Sequence, residues 1–263
     1  MKYFNSIISV VIFSTIILLS CKQNPESDWV LIKEISIDDF SPVGITNFRQ
    51  YVCVSDSSRD KVYFVDTTDY SLFLDIDVEQ PMYINVKKSR LLIPSFDKDT
   101  VFVFRGNELY PIETFGVLDG SIGVDAEAIW KYAQVSYNDH LIHYRNDELD
   151  YLLGGKGSDP GELLYPSNVV FIDSSIYVVD SGNKRIQVFD KEGKFDFLFG
   201  EEMNMAWPTG ISYSDSLVFV SDVKLNEIFV FDYKGRYQNS ITNDIDGPSD
   251  IEYFESKLYV ANK

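Results

Sequence analysis

The chain has 263 residues, of which 45% are hydrophobic, and its 41 acidic residues outnumber 23 basic ones to give a formal net charge of -18. This apolar content excludes a disordered chain. The negative charge disfavours contact with phosphate backbones and anionic lipid surfaces, so we expect no nucleic-acid binding. Cys21 and Cys53 are the two cysteines, and we expect no disulfide framework from them.

The first 20 residues have the composition of an export signal. Lys2 supplies a basic start, the stretch from Ile7 to Leu19 is apolar, and the sequence Leu18-Leu19-Ser20-Cys21 follows. This segment resembles a bacterial lipoprotein signal peptide, which implies cleavage before Cys21 and acylation of that cysteine. Two rival interpretations are a plain secretory signal and an uncleaved membrane anchor, although the apolar stretch is shorter than the roughly 20 residues of a spanning helix.

The domain organisation follows from this assignment. Residues 1–20 are the predicted lipoprotein signal peptide, and residues 21–28 form a polar tether that contains Pro25. Residues 29–263 form the folded domain, because an internal repeat begins there and continues to Lys263.

The repeat is a proline followed 14 positions later by a polar residue. The five pairs are Pro42 and Asp56, Pro81 and Ser95, Pro166 and Asp180, Pro208 and Asp222, and Pro248 and Asn262. Consecutive prolines of these five pairs lie 39, 85, 42 and 40 residues apart. The step of 85 residues therefore contains one degenerate copy, which we place around Asp125 to Leu153. Repeats of about 40 residues are typical of propeller blades.

Each copy predicts about four short strands. The continuous apolar runs Ile176–Val179 and Leu217–Val220 indicate strands that are buried on both faces. The turns Asp190–Gly193 and Asp232–Gly235 suit tight hairpins with glycine in a left-handed conformation. We expect Asp56, Asp180 and Asp222 to bond the amides of nearby turns, a structural task that recurs in each copy.

The segment Pro166–Asp190 resembles an NHL repeat almost position for position. The resemblance extends over Trp29 to Lys263, and the whole chain is similar to the six-bladed propeller lipoproteins of Bacteroidetes-type bacteria. It implies an all-β, six-bladed β-propeller of about 40-residue, four-stranded blades. The third copy is degenerate and the last blade is incomplete.

The last copy contains only two strands, and we expect the N-terminal strand that begins at Trp29 to help close it. Its third strand has no evident source in the sequence. Three interpretations stay open: a short last blade, direct pairing of Leu31–Ile37 with Leu258–Ala261, or a truncated chain.

The position two residues after each proline differs between copies. It is occupied by Gly44, Tyr83, Asn168, Gly210 and Asp250, with Glu127 or Asp125 as the equivalent in the third copy. In the propellers that this chain resembles, this position lies at the mouth of the central channel. We therefore predict a ligand-binding site formed by Tyr83, Glu127, Asn168 and Asp250.

Three of these residues offer oxygen ligands for a divalent metal. Glu127, Asn168 and Asp250 suit a hard cation such as Ca²⁺ or Mg²⁺, and gluconolactonase-like propellers hold a metal with Glu, Asn and Asp in a similar way. The alternative is that these polar residues line a water-filled channel.

No known catalytic motif is present: the sequence lacks Gly-x-Ser-x-Gly, Walker, Cys-x-x-Cys and His-Glu-x-x-His patterns. We therefore assign no catalytic residue. The sequence favours a ligand- or protein-binding scaffold of the bacterial cell envelope. We expect a membrane anchor through the lipid on Cys21, on the periplasmic or surface side, and an unidentified protein or glycan partner. The alternative is a divalent-metal-dependent hydrolase or lactonase with its site at the channel mouth.

Overall fold

The computed structural model describes residues 15–21, 29–37, 39–105, 113–115, 119–128, 131–138, 140–146 and 149–263. These ranges contain 24 strands and two short 3₁₀ turns at Ser181–Asn183 and Glu201–Met203. Within them, no helix has the length and apolar character needed to cross a membrane. The chain is therefore all-β in the part that the structure describes.

Five blades are each built from four consecutive antiparallel strands. The first blade contains β3 (Pro42–Phe48), β4 (Tyr51–Asp56), β5 (Lys61–Asp66) and β6 (Leu72–Asp77). The second contains β7 (Asn85–Lys87), β8 (Arg90–Ser95), β9 (Thr100–Arg105) and β10 (Glu113–Phe115). The third contains β11 (Ser121–Ala128), β12 (Lys131–Ser136), β13 (Leu141–Asn146) and β14 (Leu149–Gly154). The fourth contains β15 (Pro166–Ile172), β16 (Ser175–Asp180), β17 (Arg185–Phe189) and β18 (Phe195–Phe199). The fifth contains β19 (Pro208–Tyr213), β20 (Leu217–Asp222), β21 (Glu227–Asp232) and β22 (Tyr237–Ile241).

A further four-stranded sheet, which we name the closing sheet, joins the two ends of the described chain. It contains β1 (Thr15–Cys21), β2 (Trp29–Ser36), β23 (Pro248–Phe254) and β24 (Lys257–Asn262) in the order β2-β1-β24-β23. The repeats predict six blades, whereas five are built from consecutive strands. The difference arises because the last copy has only two strands of its own and takes the other two from the N-terminal region.

The strand that begins at Trp29, β2, takes part in this sheet as we expected. The direct pairing of Leu31–Ile37 with Leu258–Ala261, one of the three interpretations left open, is not observed. Strand β2 does not pair with β24. Strand β1 lies between them and pairs with both. Ile16 of β1 is 1% exposed and packs in the cluster of Phe40, Ile45 and Val52. The third strand of the closing sheet thus comes from the segment that the sequence assigns to the signal peptide.

The spacing of 14 residues has a direct structural cause. Each proline faces the residue 14 positions later across the hairpin formed by the first two strands of the unit. The pairs are Pro42 with Asp56, Pro81 with Ser95, Pro166 with Asp180, Pro208 with Asp222 and Pro248 with Asn262. The repeat in the sequence therefore reports one hairpin register that recurs around the ring.

The aspartate at the end of the second strand connects this hairpin to its surroundings. Asp222 is fully buried, and its Oδ2 accepts hydrogen bonds from Ala206 N at 2.6 Å and Trp207 N at 2.9 Å. Its Oδ1 accepts from Lys224 N and Leu225 N, each at 3.0 Å. The residue satisfies amides of both the preceding loop and the following turn.

Glycine at alternate blades lets the innermost strands approach closely. A Cβ atom at Gly44, Gly123 or Gly210 would lie 2.8, 2.9 or 2.7 Å from the Cα atoms of Tyr83, Asn168 and Asp250, respectively. These distances are too short for any side chain, so larger residues at this position alternate with glycine around the ring. The pattern determines where Tyr83, Asn168 and Asp250 lie.

Candidate functional site

The innermost strand of each sheet lines the central axis. Each of these strands lies at an edge of its four-stranded sheet: β3, β7, β11, β15, β19 and β23. Neighbouring innermost strands contact one another in a complete ring, and β23 returns to β3. An edge strand leaves one row of its N–H and C=O groups without a partner in the sheet, and buried groups of this kind need another one.

Side chains from the neighbouring sheet supply several of these partners. Asp250 Oδ2 accepts a hydrogen bond from Ile45 N at 2.9 Å, across the contact between β23 and β3. Asp125 Oδ2 accepts from Phe171 N at 2.8 Å, across the contact between β11 and β15. The buried carboxylates therefore join one sheet to the next.

The same contact between β23 and β3 contains a second carboxyl bridge. The Asn47 N–H donates to the Glu252 carboxyl, two residues beyond the bond from Ile45 N to Asp250. Ser212 makes the corresponding contact from β19 to β23, because its Oγ accepts from Tyr253 N at 2.9 Å. Polar residues on the channel side thus have a structural task.

The structure brings two of the predicted site residues together. Asn168 Nδ2 donates to Asp250 Oδ1 at 3.2 Å, and Asn168 Oδ1 accepts from Val169 N at 2.8 Å. Tyr83 lies near them, because it bonds the Thr209 side chain and the Asp250 carboxylate contributes to raising its pKa, although burial is the larger cause. Asn168, Asp250 and Tyr83 form a buried polar group inside the ring.

These three residues lie deeper than we expected. Tyr83 and Asn168 are each 6% exposed and Asp250 is 2% exposed, so they form the inside of the ring and not its mouth. Burial raises the pKa of Asp250 well above its ordinary value. The fourth predicted residue, Glu127, belongs to β11, and its side chain lies outside the described residues. In the third blade, Gly123 occupies the equivalent position, because it bridges Tyr83 and packs against Asn168. Asp125, the other candidate considered for that position, lies two residues further along β11 and lines the cavity described next.

A cavity of about 510 Å³ extends from Asn168 and Asp250 along the innermost strands. It ends at the turns between first and second strands, where Asp173, Asp215 and Glu255 are exposed. We name this cavity the funnel. Its open end, with these exposed residues, is opposite the prolines that begin the innermost strands, so the buried residues next to those prolines lie at its base.

The funnel wall carries a cluster of polar groups. Lys87 Nζ lies 3.8 Å from Asp125 Oδ2, and Ser212 Oγ donates to Glu252 Oε2 at 3.2 Å. Tyr213 is half-buried, and burial raises its pKa while a hydrogen bond with Lys87 acts in the opposite direction. The cluster contains one ion pair and one carboxyl that is held by a hydroxyl.

Glu252 is a carboxyl group on the funnel wall with a strongly raised pKa. Burial raises its pKa from 4.5 to about 8. The hydrogen bond from Ser212 lowers the pKa, whereas the negative charge of Asp125 raises it. Glu252 is therefore mainly protonated at pH 7 in the empty funnel, and any cation that enters would favour its ionised form.

The described residues show no group of three or more His, Cys, Asp or Glu side chains placed to hold a metal ion. Both carboxylate oxygens of Asp250 already accept hydrogen bonds from protein groups. The two histidines of the chain, which could also bind a metal, lie in separate surroundings. His140 Nδ1 accepts a hydrogen bond from Tyr165 N at 2.9 Å, and His143 contacts the Tyr132 hydroxyl at 3.4 Å.

Sequence reasoning did not identify Lys87, Ser212 and Glu252. Ser212 and Glu252 lie four residues after the repeat proline and Lys87 lies six residues after it, each on an innermost strand. The signal that would find them is polar character two or four residues beyond the position used for the prediction. That signal is weak, because Val170 is the equivalent residue in the fourth copy.

No family model matches the chain. A segment of 49 residues, 18% of this chain, is 49% identical to protein brain tumor of Drosophila melanogaster and spans 5% of that protein. This match is too short to assign a family.

The solved structures that resemble the chain are propellers. A streptogramin B lyase structure is similar with a TM-score of 0.67 and 16% identity, over 94% of this chain and 81% of that one. A catalytically inactive virginiamycin B lyase from Staphylococcus aureus with quinupristin gives 0.64 and 15%, over 87% and 80%. A chain of the nidogen/laminin complex gives 0.66 and 11%, over 87% and 93%. These similarities establish that the chain has an all-β propeller fold.

Proposed function

We propose that this chain is the ligand-binding propeller of an exported, lipid-anchored envelope protein of the NHL-repeat type. In this proposal the closing sheet serves as the sixth blade, and the funnel is the binding site. The lipoprotein resemblance of residues 1–21 supports the anchor, and the repeat pattern supports the NHL assignment.

The funnel is the observation that carries the binding role. Its volume of about 510 Å³ lies within the range of roughly 300–1,000 Å³ that small-molecule sites occupy. Its walls combine charged groups with the half-buried rings of Tyr213, Tyr233 and Tyr253. Such a site can enclose a ligand and orient it by hydrogen bonds.

The charge of the funnel favours a ligand with an ammonium group. Among the described residues, six acidic side chains and one lysine line it: Asp125, Asp173, Asp215, Asp250, Glu252, Glu255 and Lys87. Lys87 lies beside Asp125, and burial raises the pKa of both Asp250 and Glu252. The exposed carboxylates Asp173, Asp215 and Glu255 therefore determine the net potential. Tyrosine rings attract the same kind of ligand through their π faces.

Glu252 couples ligand binding to proton release. A bound ammonium group near this carboxyl stabilises the ionised form and lowers its pKa from about 8, so the site releases a proton at pH 7 when the cation enters. Affinity for an amine that stays protonated is therefore expected to rise with pH up to about 8.

Solved propellers of this shape support a binding role without naming a ligand for this chain. One of the structures contains quinupristin and another is part of the nidogen/laminin complex. The fold therefore accommodates both a small molecule and a protein partner in other proteins, and fold alone does not select the function.

The test uses pairs of small amines and their N-acetylated forms. Each compound is titrated into the full chain at pH 7 while the melting temperature is recorded. We expect at least one amine to raise it saturably while its acetylated form does not, because a ligand that binds only the native state raises apparent stability. A panel in which anions or neutral compounds alone stabilise the protein would refute the proposed ligand class.

Two variants locate the site. Asp215→Asn removes an exposed carboxylate at the open end of the funnel, and we expect it to weaken amine binding about 2–10-fold. Asp244→Asn, an exposed position that does not line the funnel, is the matched control and should bind like the unmodified chain. Equal affinities in all three proteins would place the amine elsewhere.

A further inference from the structure

The closing sheet differs from the five other sheets in the origin of its third strand. In each blade the third strand follows the second through a short connection in the same chain. In the closing sheet this position is filled by β1, which lies far from β24 in the sequence. The position therefore accepts a strand that is not continuous with its neighbour.

Both sides of this position are fully prepared for pairing. β1 pairs with β24 from Thr15 opposite Asn262 to Ser20 opposite Lys257, and with β2 from Thr15 opposite Ser36 to Cys21 opposite Trp29. Without β1, both neighbouring strands would expose a row of N–H and C=O groups. Such an edge is a template for another strand.

The position also has an apolar interior. Ile16 is 1% exposed and contacts a cluster that includes Tyr259 and Ala261 of β24 and Ile35 of β2. The occupant therefore needs an extended backbone and a β-branched or similar apolar residue at this point. The third strands of the blades have the same character: for example, Lys61–Asp66 reads KVYFVD and Glu227–Asp232 reads EIFVFD.

Cleavage before Cys21 would remove six of the seven residues of β1, Thr15 to Ser20. Every other described strand is already paired in its own sheet, so none of them is available to replace it. Processing and the pairing of Thr15–Ser20 in the mature protein exclude each other. This step rests on the lipoprotein part of the proposed function and not on the funnel ligand.

We propose that the position between β24 and β2 is a strand-acceptor slot. It holds Thr15–Cys21 before processing, and after cleavage it takes up an extended, apolar segment of about six residues from another polypeptide. Recognition is by β-augmentation: main-chain hydrogen bonds to both neighbouring strands provide affinity, and the pocket around the position of Ile16 provides specificity.

The experiment uses the full chain expressed in a bacterial host that processes lipoproteins, with intact mass as the record of cleavage. The probe is a labelled synthetic peptide with the sequence of Thr15–Ser20 flanked by lysines. We expect saturable binding to the processed protein, and at least 10-fold slower hydrogen exchange, when the peptide is bound, of those Leu258–Ala261 amides that point toward the slot and not toward β23. A peptide with proline in place of Ile17 is the first control and should not bind, because proline removes a ladder donor.

The Cys21→Ser chain is the second control. It lacks the acylated cysteine and, with its leader retained, should keep the slot filled and fail to bind the peptide. The proposal would be overturned if, in the processed protein, the slot-facing amides of Leu258–Ala261 are protected without peptide and the protein does not bind the peptide. In that case β24 would already be paired without a strand from another polypeptide. An intact mass that retains residues 1–20 in the unmodified chain would also overturn it, and would remove the lipoprotein assignment while leaving amine binding in the funnel to be judged by its own titration.

Discussion

Glu252 provides the sharpest quantitative prediction, because its carboxyl is held protonated by burial. Its pKa rises from 4.5 to about 8. A group with a raised pKa in the folded state contributes stability below its unfolded pKa and loses that contribution as the pH rises through the folded pKa. Glu252 therefore makes the protein progressively less stable between about pH 4.5 and pH 8.

The magnitude follows from the same two values. The two pKa values differ by about 3.5 units, and each unit corresponds to about 1.4 kcal/mol. The free energy of unfolding therefore falls by at most about 5 kcal/mol over this pH range. The half-buried position of Glu252 admits some water, which reduces the effect below this bound. Replacing Glu252 with glutamine keeps the shape and an acceptor oxygen but removes the titration.

The assay is chemical denaturation of the full chain and the Glu252→Gln variant at pH 5, 6, 7 and 8. We expect the free energy of unfolding of the variant, relative to the unmodified chain, to increase by several kcal/mol over this range. Glu255→Gln, which removes an exposed carboxylate of the next turn, is the control and should change stability by less than about 0.5 kcal/mol. A difference between Glu252→Gln and the unmodified chain that does not change with pH would show that Glu252 does not titrate with a raised pKa in the folded protein.

Three other predictions follow from the ring and its base. Asp250→Ala leaves Ile45 N and Asn168 Nδ2 without their acceptor, so we expect a loss of about 2–6 kcal/mol in urea denaturation, and a loss below about 1 kcal/mol would contradict the bridging role. Gly210→Ala places a Cβ 2.7 Å from the Asp250 Cα and should cost about 1–3 kcal/mol through overpacking, whereas unchanged stability would show that the strands separate freely. Ca²⁺ and Mg²⁺ should not raise the melting temperature saturably, because both Asp250 oxygens are occupied, and a rise that disappears in Asp250→Ala would support the metal-dependent hydrolase instead.

The sequence predicts the blades well because their register is local. The spacing between Pro166 and Asp180 is the length of one hairpin, and these residues face each other in the sheet. Asp222 has the predicted task of bonding turn amides, and also reaches the loop before its blade. Short-range geometry of this kind repeats in five copies and therefore appears in the sequence.

The closing sheet could not be predicted in the same way. The segment Thr15–Cys21 is apolar and partly β-branched, a composition that suits both an export signal and a buried strand. Its pairing with β24 joins residues at opposite ends of the chain, and no local pattern encodes that contact. The sequence therefore identifies a missing third strand without its source.

The candidate site was predicted in part. Asn168 and Asp250 occupy equivalent positions in two copies, which predicts that they lie close together. In the structure, Asn168 Nδ2 lies 3.2 Å from Asp250 Oδ1. The end at which the funnel opens to solvent depends on the tilt and packing of whole blades. For that reason the sequence points to the base of the funnel and misses Lys87 and Glu252 on its wall.

The most direct test of the central claim is a crystal structure of the full chain with the amine that gives the largest thermal shift. We expect electron density for the ligand inside the funnel, with its ammonium group within hydrogen-bond distance of Glu252 and against the rings of Tyr213 or Tyr253. Density at any other surface, with an empty funnel, would contradict the assignment of this cavity as the binding site.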